Sequence, residues 1–127
     1  MKKLILSIFF LSLFIHHSRS ENTEYLDSIG NCVIDLFKQE KYLDCYNLAK
    51  DLYSLSKDAD DTTLVFNSLY YMGFSNQRMG NMEKAIDYNM QAYEVSQSLQ
   101  RLDLQSSILN NIVNVYMVSD VNSVAVV

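Results

Sequence analysis

The sequence contains no proline and no tryptophan, and its glycines are limited to Gly30, Gly73 and Gly80. A β-sandwich needs many tight turns, which glycine and proline normally supply, so this composition argues against that class of fold. The 127 residues are 49% hydrophobic, which is enough for one packed domain and excludes a disordered chain. Composition therefore predicts a single helical domain.

Basic residues and histidines are also scarce. Ten lysines and arginines stand against 15 acidic residues, and the histidines are limited to His16 and His17. Because the basic residues are dispersed along an acidic chain, we expect no nucleic-acid partner. Beyond residue 20 the sequence has no histidine to activate a serine or cysteine, and it has no glycine-rich phosphate loop. We therefore predict a protein that is not an enzyme and holds no metal and no cofactor.

The first twenty residues predict export. Two lysines follow the initial methionine, the run Leu4–Ile15 is apolar except for two serines, and residues 18–20 are Ser-Arg-Ser. This pattern is typical of a secretory signal peptide cleaved after Ser20. A membrane anchor or a buried helix is the alternative, but twelve helical residues span only about 18 Å, less than the roughly 30 Å of a bilayer core. We expect residues 21–127 to form a periplasmic mature chain without a membrane span.

Cleavage would make the chain more acidic, because it removes three basic residues and no acidic one. Seven basic residues would remain against 15 acidic residues, a net charge of −8 compared with −5 for the full chain. A chain of this charge repels phosphate backbones.

The rest of the sequence repeats with a period of forty residues. Apolar residues recur at this interval, as in Ile29, Leu69 and Leu109, and within each copy they lie three or four residues apart. This spacing predicts two amphipathic helices in each copy.

Breaks between the predicted helices fall where helix termination costs little. Gly80 can adopt the left-handed conformation that ends a helix, and Asp61 or Asn81 can accept backbone N–H bonds at the start of the next one. The predicted breaks are residues 39–41, 56–61, 80–81 and 119–120.

The second copy resembles the tetratricopeptide repeat (TPR). Gly73 and Ala85 stand where that family has small residues between two helices, and Gly80 stands at its turn. The positions that carry the resemblance are Leu69, Met72, Gly73, Gly80, Ala85 and Ala92. The resemblance implies an all-α fold, an α-α superhelix of antiparallel helix hairpins with about two and a half repeats. These repeats cover about residues 24–58, 62–99 and 102–127, the last incomplete. An ordinary helical hairpin outside any repeat family is the alternative.

The resemblance also implies a binding groove, because the first helix of each TPR pair lines a concave surface. The matching groove residues are Asn67, Tyr70, Phe74, Gln77, Arg78, Asn110 and Asn114, with Asp27, Gly30, Ile34, Lys38 and Met117 as further lining. Amides can bond a peptide backbone, Tyr70 and Phe74 can cover apolar side chains, and Arg78 can meet a carboxylate. The alternative is that Tyr70 and Phe74 pack within the superhelix.

The two cysteines, Cys32 and Cys45, are expected on facing helices of the first copy. Their spacing of thirteen residues is too long for a CxxC redox or zinc motif. The hairpin could bring their Cα atoms within the roughly 4.4–6.8 Å that a disulfide requires, and export would permit oxidation. Two small buried thiols are the alternative.

These features predict an exported scaffold or adaptor that binds a peptide or a partner protein. The alternative is the N-terminal sensory portion of a membrane signalling protein with a histidine kinase or helix-turn-helix output, which the resemblance to exported bacterial arrays suggests. The third copy stops at Val127, so Leu109, Ile112, Val113 and Tyr116 would lose part of their cover. We therefore expect either a fragment or a chain that self-associates through this edge.

Overall fold

The computed structural model describes residues 2–125, which are helical apart from four short turns. Within these residues no β-strand occurs. The helices are α1 (Lys2–Lys38), α2 (Tyr42–Asp58), α3 (Thr62–Arg78), α4 (Met82–Ser98) and α5 (Leu102–Ala125). The predicted all-α fold is confirmed. Val126 and Val127, the end of the predicted third repeat, lie outside the described residues.

The four turns are three residues long and share one geometry. The middle residue of each turn is left-handed, with φ values of 60° at Glu40, 55° at Asp60, 83° at Gly80 and 54° at Gln100. The next amide reaches back to the helix that has just ended, as in the 2.8 Å bond from Asn81 N to the carbonyl oxygen of Asn76. This bond satisfies a carbonyl that the helix end would otherwise leave unpaired. The left-handed conformation predicted for Gly80 is confirmed.

The helix starts use two different arrangements. The Asp61 side chain accepts a 3.0 Å bond from the backbone N–H of Leu64, as predicted for an N-cap. The corresponding expectation for Asn81 is wrong, because its side chain makes no cap bond. Asn81 Nδ2 instead donates to Oδ1 of Asn76 at 3.3 Å, a bond that links the side chain of Asn81 to the end of α3.

The predicted break at residues 119–120 is also wrong. Helix α5 continues through both residues to Ala125. Continuing the helix through these residues adds one backbone hydrogen bond per residue. The structure therefore has a single helix where the repeat pattern predicts the start of a second.

Consecutive helices pack against one another, and the three-residue turns make each pair antiparallel. Helix α3 also contacts α1 and α5, the helices two positions away. The odd-numbered helices therefore lie side by side in one layer, and α2 and α4 cover its other side. This arrangement is a helical repeat superhelix of antiparallel hairpins.

The second hairpin is held by small and large residues on the two facing helices. Leu69, Met72 and Gly73 of α3 are buried, as are Ala85 and Ala92 of α4. A Cβ atom at Gly73 would collide with the side chain of buried Asn89 and lie 3.4 Å from the carbonyl oxygen of Ala85. The close approach of α3 and α4 therefore requires glycine at this position.

Of the two alternatives for Cys32 and Cys45, the structure contains two free thiols rather than a disulfide, although only one of them is buried. Cys32 is exposed on α1, whereas Cys45 is buried and its Sγ donates to the carbonyl oxygen of Val33 at 3.4 Å. The α1 side chain that joins the core here belongs to Val33, one residue further along the helix. A step of one residue turns a helical side chain by about 100°, which carries Cys32 out to the surface. Burial raises the pKa of the Cys45 thiol.

Candidate functional site

Two cavities open on the layer formed by α1, α3 and α5. One lies between α1 and α3 and the other between α3 and α5. Helix α3 contributes residues to both cavities, so it forms the wall between them. Together they make a discontinuous groove along one face of the superhelix.

The α1–α3 cavity has a volume of about 290 Å³. Its floor is apolar and consists of the buried side chains of Val33, Leu52 and Leu64. The remaining lining residues are Asp27, Gly30, Asn31, Ile34, Asn67 and Tyr71. An apolar floor below a few polar groups is the usual composition of a ligand pocket.

The α3–α5 cavity is larger, at about 550 Å³, and more open to solvent. Its lining residues are Phe74, Gln77, Arg78, Met82, Asn114, Met117 and Val118. Arg78 is the charged residue of this cavity, and its guanidinium carbon lies 5.9 Å from the ring centroid of Phe74. Stacking on the ring restrains the guanidinium while leaving its N–H groups able to bind an anion.

Two half-buried aromatic rings of α3, Tyr70 and Phe74, form an aromatic strip along the helix between the two cavities, and the buried ring of Phe66 packs behind it. The ring centroids of Phe66 and Tyr70 are 6.1 Å apart, and those of Tyr70 and Phe74 are 5.5 Å apart. Phe37 of α1 supports this aromatic strip through an edge contact with Phe74 at 5.2 Å. These contacts limit the motion of the rings, so they offer a preformed apolar surface.

The cavities divide the residues predicted for the groove. Asn67 lines the α1–α3 cavity with Asp27, Gly30 and Ile34. The α3–α5 cavity contains Phe74, Gln77, Arg78, Asn114 and Met117. Tyr70 lines neither cavity, but its ring contacts Tyr71 of the first and Phe74 of the second. Asn110 and Lys38 are exposed and line neither cavity.

Sequence reasoning missed several lining residues. Tyr71 lies four residues after Asn67, and Asn31 lies four residues after Asp27, so helical spacing could have found both. Met82 begins α4 rather than a first helix of a pair, and no spacing rule points to it. Its place in the α3–α5 cavity depends on how the turn at residues 79–81 directs the chain.

Tyr71 is the lining residue with an altered acidity. Burial, with the nearby Tyr70 and Cys45 as weaker contributors, raises the pKa of its hydroxyl above the usual value for tyrosine. The group therefore stays protonated throughout the physiological range and can donate as well as accept a hydrogen bond.

Tyr88, a second tyrosine with a raised pKa, lies away from the cavities. Burial, followed by a hydrogen bond with Tyr46 at 3.1 Å, raises the pKa of Tyr88 to about 12. This pair joins α2 to α4, on the other side of the superhelix from the layer that carries the cavities. Among the side chains that the structure describes, no cluster of three His, Cys, Asp or Glu residues could hold a metal ion. The arrangement can bind through shape, hydrogen bonds and single charges.

No protein-family model, curated protein or solved structure matches the chain. The geometry and chemistry of the groove therefore indicate what the chain binds. None of the described helices combines the length and the apolar character needed to cross a membrane.

Proposed function

We propose that this chain is an exported interaction module that binds an extended peptide, or an extended segment of a partner protein, and that it is not an enzyme. The observation that carries this proposal is the pair of cavities on one face of the superhelix, with the aromatic strip between them. Two separated pockets joined by an apolar surface suit an extended peptide, whose side chains project at regular intervals. They suit a compact small molecule less well.

The dimensions agree with a short extended segment. Asn67 in the first cavity and Arg78 in the second are eleven residues apart on α3, which corresponds to about 16 Å along the helix. An extended peptide covers the same distance with about five residues at roughly 3.3 Å each. A segment of five to eight residues would therefore reach from one cavity to the other.

Each part of the groove has a function in this binding mode. The amides of Asn67, Gln77 and Asn114 can donate to and accept from a peptide backbone. The aromatic strip can cover an apolar side chain at the centre of the segment. Arg78 can form a charge-assisted bond with a carboxylate at the far end.

The proposal also assigns the chain to TPR-like proteins. Three features support this assignment: α2, α3 and α4 are each 17 residues long, the turns recur every twenty residues, and Gly73 meets Ala85 in the second hairpin. Helix pairs of one length, stacked with one turn geometry, are what a repeat with a forty-residue period requires.

Export is part of the same proposal, with residues 1–20 as a cleaved signal peptide. The large apolar side chains described between Ile5 and Ile15 are 51–76% exposed. Among the side chains that the structure describes, the first buried one is Leu26. Removal of the leader would therefore take no described buried side chain out of the core, which supports cleavage after Ser20.

A second copy of this chain is the proposed partner for the outer face of α5. Leu109, Val113 and Tyr116, spaced four and three residues apart, lie on one side of the helix. Five large apolar residues of α5 that lie outside the α3–α5 cavity are 45–75% exposed: Leu102, Leu109, Val113, Tyr116 and Val121. Antiparallel pairing of two α5 helices around residue 111 would place Leu109 against Val113 of the second copy.

Peptide selection tests the groove. We expect the purified protein to enrich sequences from a displayed random library, and the selected peptides to bind in fluorescence anisotropy. Phe74→Ala and Asn67→Ala should each weaken binding by about fivefold to tenfold, because each removes a contact worth about 1 kcal/mol.

Asn47→Ala is the matched control, since Asn47 is an exposed asparagine of α2, away from the groove. Failure to enrich any peptide, or equal losses for Asn47→Ala and Asn67→Ala, would contradict the proposed function.

A further inference from the structure

The three glycines of the chain differ in the structural reason for having glycine at each position. Gly80 has φ of 83°, and Gly73 leaves no room for a Cβ atom beside Asn89. Gly30 has neither reason: it lies inside α1, it has no positive φ, and a Cβ atom there would lie 3.7 Å from Leu64 and 3.8 Å from Leu52. These distances are ordinary packing contacts, whereas a glycine inside a helix lowers stability relative to alanine.

The space that Gly30 leaves open belongs to the α1–α3 cavity. Leu52 and Leu64, the two side chains that a Cβ atom would touch, are part of the cavity floor. The missing side chain therefore keeps an apolar surface accessible in the wall between α1 and α3. Gly30 thus serves the cavity, although it weakens the helix.

The polar groups at the mouth of this cavity favour a positively charged ligand. Asp27 is the charged residue of its lining, and within the described residues it forms no ion pair. Asn31 and Asn67 add side-chain oxygens that can accept hydrogen bonds. The cavity therefore combines an apolar floor with a rim that attracts a cation.

The size of the cavity limits what it can hold. Its volume of about 290 Å³ lies just below the roughly 300–1,000 Å³ typical of small-molecule sites. A single long side chain suits this space. Lysine and arginine combine an apolar stem with a cationic end, and such side chains bury the stem while the charge stays at the surface.

We propose that the α1–α3 cavity is a specificity pocket for a lysine or arginine side chain of the bound peptide, an assignment that rests on the proposed peptide-binding function. The stem lies over Leu52 and Leu64 in the space beside Gly30, and the charged end meets Asp27 at the rim. The net charge of −5 on the chain adds a general attraction for basic segments.

Peptide pools with one defined residue test this assignment. The probes are fluorescein-labelled nine-residue pools that are random except at the fifth position, which is lysine, norleucine or leucine. Norleucine has the lysine stem without the charge. We expect the lysine pool to bind the full chain about fivefold more tightly than the norleucine pool. Asp27→Asn should reduce this preference to less than twofold, whereas Asp35→Asn, at an exposed position of α1 outside the cavity, should preserve it.

Gly30→Ala separates the binding role from a structural one. Alanine should raise the melting temperature by about 4 °C, because it favours the helix, and should weaken binding of the lysine pool about threefold by narrowing the cavity. A loss of both stability and binding would overturn the assignment of Gly30.

The remaining outcomes distinguish the two proposals. Equal binding of all three pools, or a preference for leucine, with binding still sensitive to Phe74→Ala, would overturn the basic-residue pocket and leave the groove in place. Absence of binding by every pool would overturn the proposed function, and this assignment with it.

Discussion

Glu40, Asp60, Gly80 and Gln100 occupy the same position in four turns, and only one of them is glycine. A residue with a Cβ atom pays about 1–2 kcal/mol for the left-handed conformation, because Cβ approaches the following carbonyl oxygen. The turns nevertheless keep one geometry, because the antiparallel packing of the flanking helices and the bond from the third turn residue hold it. At the residue scale, three turns therefore store strain that Gly80 avoids.

We predict that Gln100→Gly raises the free energy of unfolding by about 0.5–1 kcal/mol and that Gly80→Ala lowers it by about 1 kcal/mol. Glycine relieves the strain at φ of 54°, although part of this gain is lost to the greater freedom of the unfolded chain. Urea unfolding followed by circular dichroism measures both changes.

Gln91→Gly is the control for this pair, because Gln91 is exposed in the middle of α4 and glycine there should destabilise the helix by about 1 kcal/mol. A lower urea midpoint for Gln100→Gly than for the unchanged chain would show that the turn is not strained.

The contact between Gly73 and Asn89 is decisive at the scale of the element, because it sets how closely α3 and α4 approach. Asn89 is buried on α4, and within the described residues neither its Nδ2 nor its Oδ1 has a hydrogen-bond partner. An unpaired buried amide costs about 1–3 kcal/mol. The second hairpin therefore combines a tight helix contact with a polar side chain that contributes no hydrogen bond to it.

We predict that Gly73→Ala destabilises the protein by about 1–3 kcal/mol, because the new methyl group meets the Asn89 side chain. Combining it with Asn89→Ala should restore at least about 1 kcal/mol, since the smaller side chain removes the collision. A double-mutant cycle in thermal unfolding measures this coupling.

Gly30→Ala serves as the comparison, since a Cβ atom at Gly30 has ordinary contacts and the same substitution should stabilise that helix. Additive effects of the Gly73 and Asn89 substitutions would mean that the two residues do not limit the helix approach.

The whole molecule has a well-covered central helix, α3, and an open face on α5. Helix α3 is packed on several sides, and its Leu69 is buried against the second hairpin, whereas the corresponding Leu109 of α5 is 45% exposed. The repeat pattern predicts that four apolar residues of α5 lose part of their cover, and Leu109, Val113 and Tyr116 are indeed exposed. The fourth, Ile112, is buried in the core formed with α3 and α4. Burial therefore follows the side of α5 on which each residue lies.

We predict that the protein dimerises in a concentration-dependent manner and that Val113→Glu shifts the dissociation constant upward by at least tenfold. The introduced carboxylate would be buried in an apolar interface between two α5 helices, which costs more than about 1.4 kcal/mol. Sedimentation equilibrium over a range of concentrations measures the shift.

Met90→Glu is the matched control, because Met90 is also a large apolar residue, 46% exposed, but lies on α4. A monomer at every concentration, or equal dissociation by both substitutions, would exclude α5 as the interface.

The hydrophobic periodicity predicts the positions of the helices better than it predicts which residues of each helix face its neighbours. The three- and four-residue spacing located the helices, and Asp61 and Gly80 were assigned correctly because capping and left-handed turns are local properties. Cys32 shows the limit: one residue of rotation separates it from Val33, which takes the buried position. A repeat pattern does not define helix rotation to that accuracy, because packing against the neighbouring helix decides it.

The sequence by itself determined the all-α class, the turn at Gly80 and the acidic character of the chain, since these depend on composition and on neighbours along the chain. Only the tertiary structure decided that Tyr71 and Met82 line cavities while Asn110 does not, and that α5 continues past residue 120. A cavity depends on the distances between helices far apart in sequence, and those distances follow from side-chain packing, which local periodicity does not encode.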